Sequence, residues 1–354
     1  MKKATKIILI TALVLILGGF ALSIGTLAIA GLPFGEEYHA YRTEHDAALS
    51  IRTDLNSASL YIRQTDGDKI VVTCNDVEND RRITVTERNG VLEITYEAEP
   101  WYRDVRSWVS FGVSPKYDVE IAIPKVYDTA KKITIEAKSG RVEVEEVALP
   151  SADFNVTSGF VEFDEVTCAG ALSISTASGM IVLDKVRTAG ALSIRATSGS
   201  IHLSDIKCGG DLSIDGTSGS LRLETIWVGG SLMAGRTSGT ITGEAITCKG
   251  DLLLQTNSGA IHVDDASAAS LQARATSGSL KFEDLMANDI HLETTSGAIR
   301  ATIKGKMSDY TITSSTTSGS NNLPEYQTGA EKTLVAKATS GSIKVKFGTF
   351  KVKS

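Results

Sequence analysis

The dipeptide Ser-Gly recurs at positions 139, 158, 178, 198, 218, 238, 258, 277, 296, 318 and 340, at intervals of 19, 20, 20, 20, 20, 20, 19, 19, 22 and 22 residues. So even a period is the signature of a repeat architecture, and it decides how 354 residues can share one elongated body. The best-preserved unit runs from Gly190 through Ser198-Gly199 to Gly209 and carries two short alternating stretches. Leu192 and Ile194 share one face while Ser193 and Arg195 take the other; Ile201 and Leu203 alternate likewise with His202 and Ser204. Period two with one wet face reads as β-strand. A lone two-strand unit cannot bury its apolar face, whereas a copy stacked on it about 4.8 Å away pairs the backbone and prolongs the core. The expectation is an all-β chain: a single-stranded β-solenoid, or parallel β-helix, of coils of about 20 residues, each stacked on the one before.

Glycine has a mechanical place in such a coil, because a sharp reversal needs φ > 0 and glycine reaches it without a Cβ penalty. Ser-Gly supplies one corner; Ala169-Gly170, Ala189-Gly190, Gly209-Gly210, Gly229-Gly230 and Lys249-Gly250 supply a second. Two glycine corners per coil are therefore expected. A β-propeller is the rival, but its blades need about 40 residues or more.

Ile7 to Leu32 is free of charge, and about 20 such residues as a helix cross a bilayer. Lys2, Lys3 and Lys6 precede this segment and Glu36 and Glu37 follow it, which orients the N-terminus to the cytoplasm and exports the rest. A signal peptide cleaved after Ala30 is the alternative, but the apolar run is longer than a usual signal core. Setting the three lysines aside takes the formal charge from −6 to −9, so the exported part is acidic and nucleic acid is not expected as a partner. The chain divides into a cytoplasmic stub and transmembrane anchor (1–35), an irregular β-rich cap with the first coils (36–130) and the regular solenoid (131–354).

In the cap, Ala48–Thr53 and Ala58–Arg63 read as a worn first coil; strands follow near Lys69–Cys74, Arg82–Glu87, Val91–Glu97 and Tyr117–Ile123, with Arg88-Asn89-Gly90 as a hairpin turn. The glycine-punctuated repeat, the strand-rich lead-in ending Ile121-Ala-Ile-Pro124 and the N-terminal membrane segment together resemble the bacterial "putative adhesin" family of uncharacterised β-strand repeat proteins. The likeness spans most of residues 48–347. It implies a membrane-anchored solenoid and no particular ligand, and it carries no binding residues.

Candidate sites follow from the copying. Asp164, Asp184, Ser204, Glu224, Glu244, Asp264 and Glu283 occupy one outward position in successive coils, a carboxylate ladder if the register holds. Like charges about 4.8 Å apart repel by about 1 kcal/mol in water, so the column calls for cations or basic neighbours. His202, Arg222, His262, Lys281 and Arg300 form the adjoining column, which makes a mixed, salt-bridged solvent face the plainer reading and cation or polymer binding the alternative. Trp101, Tyr102, Trp108 and Phe111 gather in an apparent insertion and are either a ligand-stacking surface or a plug for the open coil.

Cys168, Cys208 and Cys248 fall on every second coil, about 9.6 Å apart, too far for a disulfide. They are expected to be small packed thiols. Threonine precedes Ser-Gly in most repeats as a single column beside a turn, which is a structural ladder and not the double column of an ice-binding face. Leu323–Gly329 is no wall-sorting signal: it has two residues too many and no apolar tail follows. His39, His45, His202, His262 and His291 show no metal spacing, and no phosphate loop, nucleophile elbow or calcium nonapeptide is present. No catalytic residue, cofactor or metal is expected. The reading is a non-catalytic extracytoplasmic scaffold or adhesin-like module whose partner is a cell-wall polymer or envelope protein; a sensor in envelope-stress signalling is the alternative.

Overall fold

The computed structural model describes residues 38–47, 49–56, 58–77, 83–97, 118–127 and 130–348. There the chain is an all-β solenoid of about 20-residue coils, with one 3-10 turn at Met307–Asp309 and no α-helix among the described residues. The membrane segment expected over Ile7–Leu32 lies outside the described residues. Among those described, no helix is long and apolar enough to cross a membrane.

One coil shows how the sequence builds the wall. Leu192–Ser198 forms a first side, residues 201–204 a second and residues 206–208 a third. Leu192, Ile194, Ala196, Ile201, Leu203, Ile206 and Cys208 point inward and are at most 1% exposed. A buried Leu or Ile contributes about 2 kcal/mol, and the stack repeats that gain at every coil. Phe154 and Phe163 face each other across one interior, edge to face at 4.8 Å.

The coil has three corners where the sequence suggested two. At the first, Gly199 has φ 153°, as the Ser-Gly reading requires. The second, unforeseen, is a column of residues in the left-handed region that are not glycine: Glu146, Glu165, Lys185, Asp205, Thr225, Ala245, Asp265 and Asp284, with φ between 47° and 55°. The third is the Gly-Gly corner, and its glycines do not occupy the left-handed region. They are needed for closeness: a Cβ on Gly190 would lie 2.9 Å from the Gly170 carbonyl carbon. The idea that both glycine corners exploit positive φ is thus corrected.

Each left-handed L-residue costs about 1–2 kcal/mol, held because the corner N–H groups donate to the following coil, as Lys185 N does to Ser204 O at 3.0 Å. Thr225 is the β-branched member of the column and the most strained. Thr225→Gly should raise the unfolding free energy by about 1 kcal/mol, net of glycine's extra chain entropy, in a denaturant titration. An unchanged or lower midpoint would show that the corner is not strained.

Stacking is not strictly sequential, contrary to expectation. Ser50–Leu55 lies between Val91–Tyr96 on its outer side and Lys132–Glu145 on its inner side. Ser59–Thr65 is likewise held between Asp118–Pro124 and Lys132–Glu145. At the other end Lys332–Ser340 inserts between Asp289–Ser296 and Tyr310–Ser318, so the Ser-Gly at 318 sits outside the one at 340. At both ends, therefore, later chain is slipped inside a rung laid down earlier in the sequence.

The exposed edges are then blunted. Ile83–Arg88 folds back antiparallel on Val91–Tyr96 through Asn89 (φ 51°) and Gly90 (φ 75°), the hairpin expected from the sequence. Tyr38–Asp46 and Lys69–Val77 add antiparallel strands beyond Asp118–Pro124. At the far end the Asn322 side-chain amide acts as an extra peptide unit: Nδ2 donates to Val345 O at 2.7 Å and Oδ1 accepts from Val345 N at 2.8 Å. Buried Tyr310 covers the last interior and donates its hydroxyl to Ala287 O at 3.0 Å. Such devices satisfy backbone groups that would otherwise template aggregation.

Candidate functional site

The outward positions of the second side form two columns. The first reads Glu143, Glu162, Val182, His202, Arg222, Thr242, His262, Lys281, Arg300, Lys344. The second reads Glu145, Asp164, Asp184, Ser204, Glu224, Glu244, Asp264 and Glu283 in direct register. Beyond Glu283 an irregularity at Phe282/Leu285 interrupts the register, and the column continues with Thr302 paired to Lys346. The structure therefore brings Asp164, Asp184, Glu224, Glu244, Asp264 and Glu283 onto one face, broken by Ser204.

The face is laced with ion pairs. Arg222 holds Glu224 within its own strand, His202 reaches Glu224 at 3.1 Å across the rung, and Lys281 meets Glu283 at 2.6 Å. His202 and Arg222 together hold the Glu224 carboxyl below its ordinary range. Exposed pairs of this kind are worth at most about 1 kcal/mol each, so they set the pattern of the surface more than its stability.

Charge is unevenly spread along the axis. The rungs at Glu143/Glu145 and Glu162/Asp164 carry only carboxylates in these columns, with Arg63 and Arg141 reaching in from the margin. Crowding shows at Glu145, whose carboxyl is pushed above its ordinary range, first by a hydrogen bond with Glu143 and then by burial. Asp164 Oδ1 is buried without a hydrogen-bond partner in the protein. At the other end Arg300, Lys344 and Lys346 are exposed cations with no ion pair among the described residues.

Trp101, Tyr102, Trp108 and Phe111 lie outside the described residues. Sequence reasoning passed over Trp227, an outward residue of the third side with Lys207 and Lys249 Nζ 5.4 and 5.5 Å from its ring centroid. The signal was available, since no other outward residue between 172 and 304 is aromatic. Also missed was Arg236, which points inward where neighbouring coils carry Gly216 and Thr256.

All four cysteines are buried and none is in a disulfide. Cys168, Cys208 and Cys248 face inward on the third side, interleaved with Thr188 and Val228. Burial pushes the Cys248 thiol up to about 11, which keeps it protonated and unreactive. Among the described residues no three His, Cys, Asp or Glu side chains are grouped to hold a metal ion.

The family model described as Toastrack DUF4097 matches residues 48–247 and 237–350. No curated protein matches the chain. Similar solved structures include a "putative adhesin" from Parabacteroides distasonis ATCC 8503, at 12% identity and TM-score 0.34, covering 87% of this chain and 97% of that one. A "putative cell adhesion protein" from Clostridium sporogenes ATCC 15579 follows at 11% identity and TM-score 0.25, covering 88% and 100%. A "Putative lipid binding protein" from the same Parabacteroides strain stands at 12% and 0.26, covering 88% and 97%. At such identities and TM-scores these likenesses carry nothing about function.

Proposed function

We propose that this chain, which belongs to the Toastrack DUF4097 family, is a non-catalytic binding module tethered to the cell membrane and displayed outside it. The supporting observation is the register of the second side: charged side chains are repeated along one straight face at the rung spacing of about 4.8 Å. Such a face offers many weak contacts to an external partner, and avidity over many displayed copies makes weak contacts sufficient. Its acids recur by copying, without the isolated pair that glycosidic cleavage needs. The tether is supported by the uncharged run Ile7–Leu32 and the lysines before it.

The test is adhesion. Vesicles bearing the reconstituted full chain should bind isolated cell envelopes, lose that binding in high salt, and release no new sugar ends or unsaturated products from wall polymer. Vesicles that bind no better than bare lipid would overturn the binding role. Appearance of cleavage products would overturn the non-catalytic one.

A further inference from the structure

The second side is not merely charged but polarised. Glu143, Glu145, Glu162, Asp164 and Asp184 lie toward its N-terminal end, and Arg300, Lys344 and Lys346 lie at its C-terminal end. Between them His202 and Arg222 stand on neighbouring rungs, followed by Glu244 and Asp264 without a cation between them in the same column. Within one molecule this ordering has a cost, because Arg300 and Lys344 are rung neighbours, as are Glu145 and Asp164. Side-chain pairing inside the chain relieves Glu224 and Glu283, and Arg63 and Arg141 relieve part of the charge on Glu143, Glu145 and Glu162, but among the described residues no carboxylate is paired with Arg300, Lys344 or Lys346.

We propose that this face docks on the same face of a second copy, running antiparallel. Place a two-fold axis between the rung of Arg222/Glu224 and the rung of Thr242/Glu244. The Glu143/Glu145 rung of one copy then opposes the Lys344/Lys346 rung of the other, and Glu162/Asp164 opposes Arg300. Toward the centre, Val182/Asp184 opposes Lys281/Glu283, His202/Ser204 opposes His262/Asp264 and Arg222/Glu224 opposes Thr242/Glu244, so the charge match lies in the two outer rungs at each end and the middle is mixed. A parallel pairing would set acid against acid and cation against cation at both ends, so the charge order selects the antiparallel one. The contact is isologous, and it closes with two copies.

A face of about ten rungs, about 4.8 Å each, and about four residues across offers about 600–700 Å² per copy, the low end of specific interfaces. The contact is therefore weak, polar and salt-sensitive. It rests on the proposed reading of the chain as a tethered binding module, and it gives that reading a geometry. The strand Tyr38–Asp46, nearest the membrane run, lies at the acidic end. Antiparallel copies then have their tethers at opposite ends of the pair, as copies on two facing membranes do.

Two charge-reversed full chains test this: Glu145→Lys/Glu162→Lys, and Arg300→Glu/Lys344→Glu. Native melting curves should first show that both fold. Vesicles bearing wild-type chain should cluster with one another at low salt, and each variant alone should cluster at least about tenfold less. Mixing vesicles of the two variants should restore clustering, because every reversed end then meets its complement. Clustering of either variant as strong as wild type, absence of restoration in the mixture, or absence of wild-type clustering overturns the inference. Envelopes from cells lacking this chain separate the two readings. If wild-type vesicles bind those envelopes but not each other, the self-docking inference fails and the binding module stands; if they bind neither, the binding module fails as well.

Discussion

Gly219→Ala should cost about 4 kcal/mol of stability or prevent folding of the central coils. Its φ is 109°, a region that L side chains rarely adopt, and an added Cβ would stand 2.2 Å from Gly199 O and 2.6 Å from Gly199 C. Those atoms are backbone and cannot swing aside. The coils cannot simply part either, because Gly199 N donates to Ser218 O at 3.1 Å and Ile201 N to Ser220 O at 3.0 Å on either side of the corner. The strain adds to the clash instead of replacing it. Gly67→Ala is the matched control: φ there is ordinary, and the nearest atom, Thr65 Oγ1, is 3.6 Å from the Cβ position. It should leave the denaturation midpoint within about 0.5 kcal/mol of wild type. Equal midpoints for the two variants would show that the Ser-Gly corner is a copied ornament and not a steric necessity.

Arg236→Met should act in the opposite direction, raising stability by about 2–4 kcal/mol. The arginine is 4% exposed, and Nε, Nη1 and Nη2 are buried with no hydrogen-bond partner in the protein. Burial pushes the guanidinium below its ordinary value, while exposed Asp215 pulls it back up. The space it fills exists because Gly216 lacks a side chain; a Cβ there would come within 2.0 Å of Nη1. The same coil carries Ala234 where its neighbours have Ile214 and Leu254, and Gly243 where they have Leu223 and Val263. A long side chain therefore fills an interior that is otherwise thin, and methionine keeps most of that volume without the charge. A lower melting temperature for Arg236→Met would mean that the guanidinium is satisfied in solution after all.

Much of the fold was legible because a solenoid writes its cross-section into the sequence again and again. Ser193 and Arg195 outside against Leu192 and Ile194 inside fix strand and face together, since successive side chains of a strand point oppositely. The same copying made the columns legible: residues about one period apart become rung neighbours, so Asp164, Asp184, Glu224 and Glu244 could be placed on one face from spacing alone. The third side was harder to see. Its trace was the three-residue step from Leu203 to Ile206, which breaks period two, but the corner between them is held by Asp205 and not by glycine. The polarity of the charged face emerged only when Lys344 and Lys346 joined the columns, because the inserted coil sits out of sequence order.

By itself the sequence determined the period, the strand character, the inward and outward faces, the Ser-Gly corner and the Asn89-Gly90 hairpin, all of which depend on contacts within one coil or between identical neighbours. Only the tertiary structure decided the order of rungs at the two ends, the left-handed corner at Asp205 and its equivalents, and the burial of Arg236. The reason is that rung pairing is made by backbone hydrogen bonds that any coil can offer to any other. Which coil lies beside which is chosen by connection length and end fit, over the spacing of 22 residues that looks the same whether a coil is added outside or slipped between.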